Sequence, residues 1–161
     1  MKRIITWCAL LALPTVALAQ KKIGEAVSLD KVEIQGAVKP GGAFTAVVQF
    51  KLDKGYHTHS NKPSEPNFIA TVLTLEPRDG VKVGTVKYPG GKSEKVQGLE
   101  KPLSVYEDQF QLSVPVTLDA KARLPLSIPA TLSYQACQGA TCYPPKKLKF
   151  DVVVMAEAAK K

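Results

Sequence analysis

Cys137 and Cys142 are the residues whose type and spacing most directly suggest chemistry. They lie in Tyr134-Gln-Ala-Cys137-Gln-Gly-Ala-Thr-Cys142-Tyr-Pro-Pro145, with four residues between them. The sequence's other cysteine, Cys8, falls near the N-terminus. Gly139 tolerates the backbone of a tight hairpin loop, so the two cysteines are expected to face each other across antiparallel strands. Directly opposed residues lie roughly 4.5 to 5.5 Å apart at Cα, which a disulfide can bridge. Such a bond has two uses, a structural staple or a reversible redox couple. In the chain-entropy model a ring this short constrains the unfolded state by only about 2 kcal/mol. That is a small gain for a domain of this length, and short rings at exposed tips are the more easily reduced kind. Spacing alone leaves both uses open.

His57 and His59 offer a second chemistry. At i and i+2 on a strand their imidazoles share a face. With Cys137 and Cys142 they supply four soft or borderline donors of the kind zinc or copper(I) takes. Nothing in the sequence fixes their distance from the cysteines, and paired strand histidines serve equally as surface or hydrogen-bonded residues. The metal reading therefore stands behind exchange, with no tight metal binding expected. A noncatalytic protein-binding module with a structural disulfide is the remaining alternative.

The elements that must position these residues read as strands. Phe44, Ala46, Val48, Phe50 and Leu52 alternate with polar neighbours, the period-2 pattern of a half-buried strand. The pattern recurs at Phe110 to Leu118, at Leu124 to Tyr134 and at Leu148 to Val154. Weaker strands are expected at Val32 to Ile34, Tyr56 to Ser60, Phe68 to Leu75 and Val81 to Val86. Gly and Pro clusters punctuate them, and no stretch reads as a helix, so the fold class is an all-β antiparallel sandwich. Leu132 and Tyr134 share the buried face of their strand, so Cys137, at an odd offset, should point away from that core with a reachable sulfur. Pro144 and Pro145 break the following strand and let Cys142 share the face of Cys137. Lys146 and Lys147 could bring positive charge toward a thiolate, and Tyr56, Tyr134 and Tyr143 could wall the sulfurs with apolar surface.

Residues 1–19 carry Lys2 and Arg3, an apolar run and Ala17-Leu18-Ala19, the plan of a secretory signal peptide. The run is too short for a membrane span, which needs about 20 apolar residues, and Pro14 interrupts it. Residues 20–155 then suit one domain, and residues 156–161 read as a disordered tail. The formal charge of +8 loses two with Lys2 and Arg3. Much of the remaining charge sits in Lys21-Lys22, Lys146-Lys147 and Lys160-Lys161 without interleaved aromatics, which argues against nucleic-acid binding.

The Cys137–Cys142 stretch resembles the active-site hairpin of the N-terminal periplasmic domain of the thiol:disulfide interchange protein DsbD. So does Gly55-Tyr-His-Thr-His-Ser-Asn-Lys-Pro63, and Val105-Tyr-Glu-Asp-Gln-Phe110 matches the strand after that family's cap loop. The best-known members have five residues between the cysteines, where this chain has four. The resemblance implies an immunoglobulin-like sandwich in the periplasm and a cap loop over the disulfide at Gly91 to Ser104, with Leu99 in place of an aromatic residue. It implies exchange between a thioredoxin-like Cys-x-x-Cys partner and oxidised exported proteins, with a place in cytochrome c maturation. Cys142 would be the sulfur that partners engage and Cys137 the resolving one, with no cofactor beyond the pair. The membrane and thioredoxin-like domains of DsbD have no counterpart in these residues, so electrons are expected from a separate donor, which could be membrane-bound.

Overall fold

The computed structural model describes residues 24–156 apart from residue 97, so the expected leader and the tail beyond residue 156 lie outside the described residues. Among the described residues the regular elements are all strands: β1 (Val27–Gln35), β2 (Ala43–Leu52), β3 (His57–His59), β4 (Val72–Leu75), β5 (Val81–Val83), β6 (Lys92–Glu94), β7 (Leu103–Glu107), β8 (Gln109–Leu118), β9 (Leu126–Tyr134), β10 (Ala136–Gln138), β11 (Thr141–Cys142) and β12 (Lys146–Val154). Every pairing is antiparallel. Among the described residues no helix is long and apolar enough to cross a membrane.

The period-2 pattern builds the two main sheets, ordered β1-β2-β8-β5 and β12-β9-β4. Phe44, Ala46, Val48 and Phe50 of β2 and Phe110, Leu112, Val114 and Val116 of β8 point into one core with Leu73 and Leu75 of β4, Ile128, Ala130 and Leu132 of β9, and Val152 and Val154 of β12. Phe50 anchors it, stacking on Phe110 at 5.2 Å and meeting Phe150 edge-on at 5.7 Å. This is the immunoglobulin-like sandwich that the resemblance implied.

A third sheet, β11-β10-β3-β7-β6, carries the hairpin. Two of the chain's crossings between it and the sandwich bear on the site. Between β7 and β8, Asp108 takes a left-handed backbone with φ 53°, a conformation Asp tolerates better than most residues. Its carbonyl accepts a 2.8 Å hydrogen bond from the amide of Leu52. Between β9 and β10, Gln135 leaves the ladder and donates through Nε2 to the Tyr143 carbonyl at 3.0 Å.

Several elements differ from expectation at their ends. β9 begins at Leu126 rather than Leu124, after the cis Leu124–Pro125 bond. β4 and β5 keep only parts of Phe68 to Leu75 and Val81 to Val86. The stretch from Gly91 to Ser104, expected as one long loop, opens with β6 and closes on β7, which pair Lys92 with Val105 and Glu94 with Leu103. Lys-Ser-Glu has no apolar alternation, so nothing in its sequence marks it as a strand.

Candidate redox site

The hairpin forms as its spacing implied. Cys137 pairs with Cys142 and Gln138 with Thr141, leaving Gly139 and Ala140 as a two-residue loop. Gly139 has φ 57° and Ala140 is not in the left-handed region, the pattern of a type II′ turn with glycine first. The cysteines are 4.0 Å apart at Cα, closer than the expected range, and are joined as a disulfide. The Tyr143 amide donates to the Ala136 carbonyl at 2.9 Å and fixes the chain where it leaves the second cysteine.

The two sulfurs meet different surroundings. Cys137 is fully buried and Cys142 is exposed. This corrects the expectation of a reachable Cys137. The parity argument holds to the extent that Cys137 lies outside the main core cluster. The face toward which it turns is closed by other elements, because β10 is flanked by β3 and β11 and His59 brings Nε2 to 3.9 Å from the Cys137 sulfur.

His57 and His59 share one face, with ring centroids 6.1 Å apart. β3 is unusual in burying only polar side chains, His57, Thr58 and His59. Phe68 stacks on the His59 ring at 4.4 Å and 14°. Thr71 Oγ1 donates to the His59 carbonyl at 2.6 Å, which ties β3 to the chain beyond Phe68. The Ser-Asn-Lys segment that follows is anchored by Ser60 Oγ on Ser104 Oγ at 2.8 Å and by the Tyr106 hydroxyl donating to Asn61 Oδ1 at 2.9 Å. Burial, and then the neighbouring His57, hold the His59 ring below its ordinary pKa of 6.5. Glu94 Oε2 lies 3.1 Å from His57 Nδ1. His57 Nε2 and His59 Nδ1 are buried without a hydrogen-bond partner.

A cavity of about 170 Å³ opens between the hairpin tip and the segment after β6, bounded by His57, His59, Phe68, Leu99, Ala140 and Cys142, among others. Leu99 therefore stands beside the disulfide, 43% exposed, and leaves Cys142 open to solvent. The tyrosines sit elsewhere. Tyr134 belongs to the main core, where burial raises its hydroxyl pKa. Tyr56 and Tyr143 face each other at 5.9 Å, and none of the three bounds this cavity. Sequence reasoning misses Phe68, Glu94 and Ala140 as members of the site. Glu94 and Ala140 lie inside segments that it does mark, whereas no spacing links Phe68 to His59.

The family described as thiol:disulfide interchange protein DsbD, N-terminal, matches residues 25–154. The chain belongs to this family. It is a thiol:disulfide exchange domain whose Cys137 and Cys142 are joined. Among solved structures, the Neisseria meningitidis DsbD N-terminal domain in its reduced form is 21% identical, covering 78% of this chain and 86% of that chain with a TM-score of 0.47. The DsbD N-terminal domain in complex with the PilB N-terminal domain, from the same organism, is 21% identical over 88% and 97% of the two chains, with a TM-score of 0.48. The N-terminal periplasmic domain of ScsB from Proteus mirabilis is 10% identical and covers 87% of this chain and 51% of that chain; its TM-score of 0.59 marks a shared fold. No curated protein matches the sequence.

Proposed function

We propose that the domain carries two electrons between a thioredoxin-like Cys-x-x-Cys partner and oxidised exported proteins in the periplasm, with Cys142 as the sulfur that partners engage and Cys137 as the resolving sulfur. The observation that carries this reading is the difference in burial, Cys142 exposed and Cys137 fully buried. Exchange needs a sulfur that a second protein can approach along the S–S axis. A partner thiolate attacks Cys142, and Cys137 leaves as a thiolate. The partner's second thiolate then attacks the mixed disulfide and releases Cys142, so the partner is oxidised and the domain holds the electron pair. In the second half-reaction the Cys142 thiolate attacks an oxidised protein and Cys137 resolves that intermediate. His59 Nε2 stands within hydrogen-bonding range of the Cys137 sulfur in the disulfide form from which the cycle starts. A membrane-bound electron donor and a place in cytochrome c maturation accord with family membership.

The test is mechanism-based trapping. Cys137→Ser leaves an engaging thiol with nothing to release its partner, so mixed disulfides with Cys-x-x-Cys proteins are expected to accumulate on nonreducing gels after acid quench and alkylation. Cys142→Ser is expected to trap far less. Equal capture by both variants would overturn the assignment of roles; capture by neither, with a wild-type pair that resists thioredoxin-like reductants, would overturn exchange itself.

A further inference from the structure

In the sequence the histidines and the cysteines occupy separate segments whose distance nothing fixes, and the fold supplies that distance. His59, Cys137 and Cys142 bring their donor atoms within 4.8 Å of one another, and His59 Nε2 is 3.9 Å from the Cys137 sulfur. We propose that, once the disulfide is reduced, these three side chains form a binding site for one thiophilic closed-shell metal ion, zinc(II) or copper(I).

The spacing fits the bond lengths. A metal–sulfur bond of about 2.3 Å and a metal–nitrogen bond of about 2.0 to 2.1 Å, at trigonal to tetrahedral angles, require a nitrogen-to-sulfur edge of roughly 3.6 to 3.8 Å. The His59–Cys137 edge is already close to this. The sulfur-to-sulfur edge must open from a covalent bond, and Cys142 is placed to allow it. It lies on the two-residue edge strand β11, exposed and outside the main core, so outward movement disturbs little packing. The third donor is fixed in advance: Phe68 stacks on its ring and Thr71 holds its carbonyl. A buried neutral imidazole keeps its lone pair available, and two thiolates with one imidazole form a soft set that selects against magnesium or calcium. No carboxylate belongs to the donor group, since Glu94 faces His57.

Binding displaces two thiol protons and transfers no electrons. While the ion is held neither sulfur can attack a disulfide, so the metal and a protein partner compete for the same reduced pair. The site requires only the dithiol, which a phosphine reductant produces, and therefore stands independently of which proteins exchange with it.

Reduced and oxidised protein, freed of reductant under anaerobic conditions, are titrated with zinc(II) and separately with copper(I) against a competing chelator. Retained metal is quantified after dialysis, and X-ray absorption reports the ligands. The expected result is one ion per reduced chain in at least one arm and none on the oxidised chain, with two sulfur and at least one imidazole scatterers. His59→Gln, checked for folding by its melting transition, should weaken retention by roughly tenfold or more, since even outer-shell losses at metal sites cost that much. Retention of neither ion, or unchanged affinity in folded His59→Gln, overturns the proposal. If that variant does not fold, the wild-type absorption spectrum decides: sulfur-only coordination overturns the site and imidazole supports it.

Discussion

Reduction of the disulfide should leave the sandwich folded and only modestly less stable. The bond closes a loop with a sequence separation of 5 and ties β10 to the edge strand β11. In the chain-entropy model a ring of this size restricts the unfolded chain by about 2 kcal/mol, so its opening removes no more than that. For a domain of about 150 residues each kcal/mol moves the melting temperature by about 2 to 4 °C, which places the expected drop at about 4 to 8 °C. Neither cysteine belongs to the core formed by β2, β4, β8, β9 and β12, so the transition should remain cooperative. Differential scanning calorimetry of oxidised and phosphine-reduced protein checks both points, with Cys137→Ala/Cys142→Ala as a control that cannot reoxidise. A reduced protein that melts without a cooperative transition, or more than about 15 °C below the oxidised one, would show that the bond holds the fold together, and a structural staple would replace the reversible couple.

Two further perturbations test the core and the buried ring. Phe50→Ala removes a fully buried side chain that touches both Phe110 and Phe150, and should cost about 3 to 5 kcal/mol in urea unfolding; a loss below about 1 kcal/mol would mean that the core does not centre there. His59 resists protonation when folded, so between its lowered pKa and the ordinary value of 6.5 the unfolded chain binds more protons. Stability should therefore fall as pH drops below 6.5 and level off above it, and His59→Gln should flatten this slope; a His59-dependent slope of the opposite sign in chemical denaturation across that window would refute the assignment.

The long strands are legible in the sequence because one face of each meets the core, and that imposes a period of two. Phe44 to Leu52 and Phe110 to Leu118 form β2 and β8 with shifts of a residue at their starts. β6 is not legible, because Lys-Ser-Glu carries no apolar side chain and shows no alternation of buried and exposed positions. The hairpin is legible from glycine and the cysteine spacing, since a two-residue turn sets its register locally. The burial of Cys137 is not. Parity determines which face of a strand a side chain occupies, whereas burial depends on what other segments bring to that face. The wall around His59 is Phe68, from a turn segment with no sequence relation to the cysteines. Tyr134 lies only three residues before Cys137, but the break at Gln135 separates the two, so Tyr134 stays with the sandwich core while Cys137 joins the third sheet.

That separation has a functional consequence. A side chain packed in the interdigitated core cannot change its covalent state without cavities or clashes that cost several kcal/mol. Cys137 changes state in every exchange cycle under this reading, yet it is fully buried. The third sheet reconciles the two requirements. Asp108 and Gln135 turn the chain at two of its crossings between the sandwich and that sheet, β7 to β8 and β9 to β10, so the sulfur is excluded from solvent by β3, with His57 and His59, rather than by the residues that determine global stability. On the other side Cys142 occupies a two-residue edge strand beside a small cavity, where a sulfur can be approached and displaced. One half of the couple is shielded and the other accessible. Under the proposed roles, the buried resolving thiol is shielded from oxidants that cannot reach it, and a partner's access is controlled at Cys142.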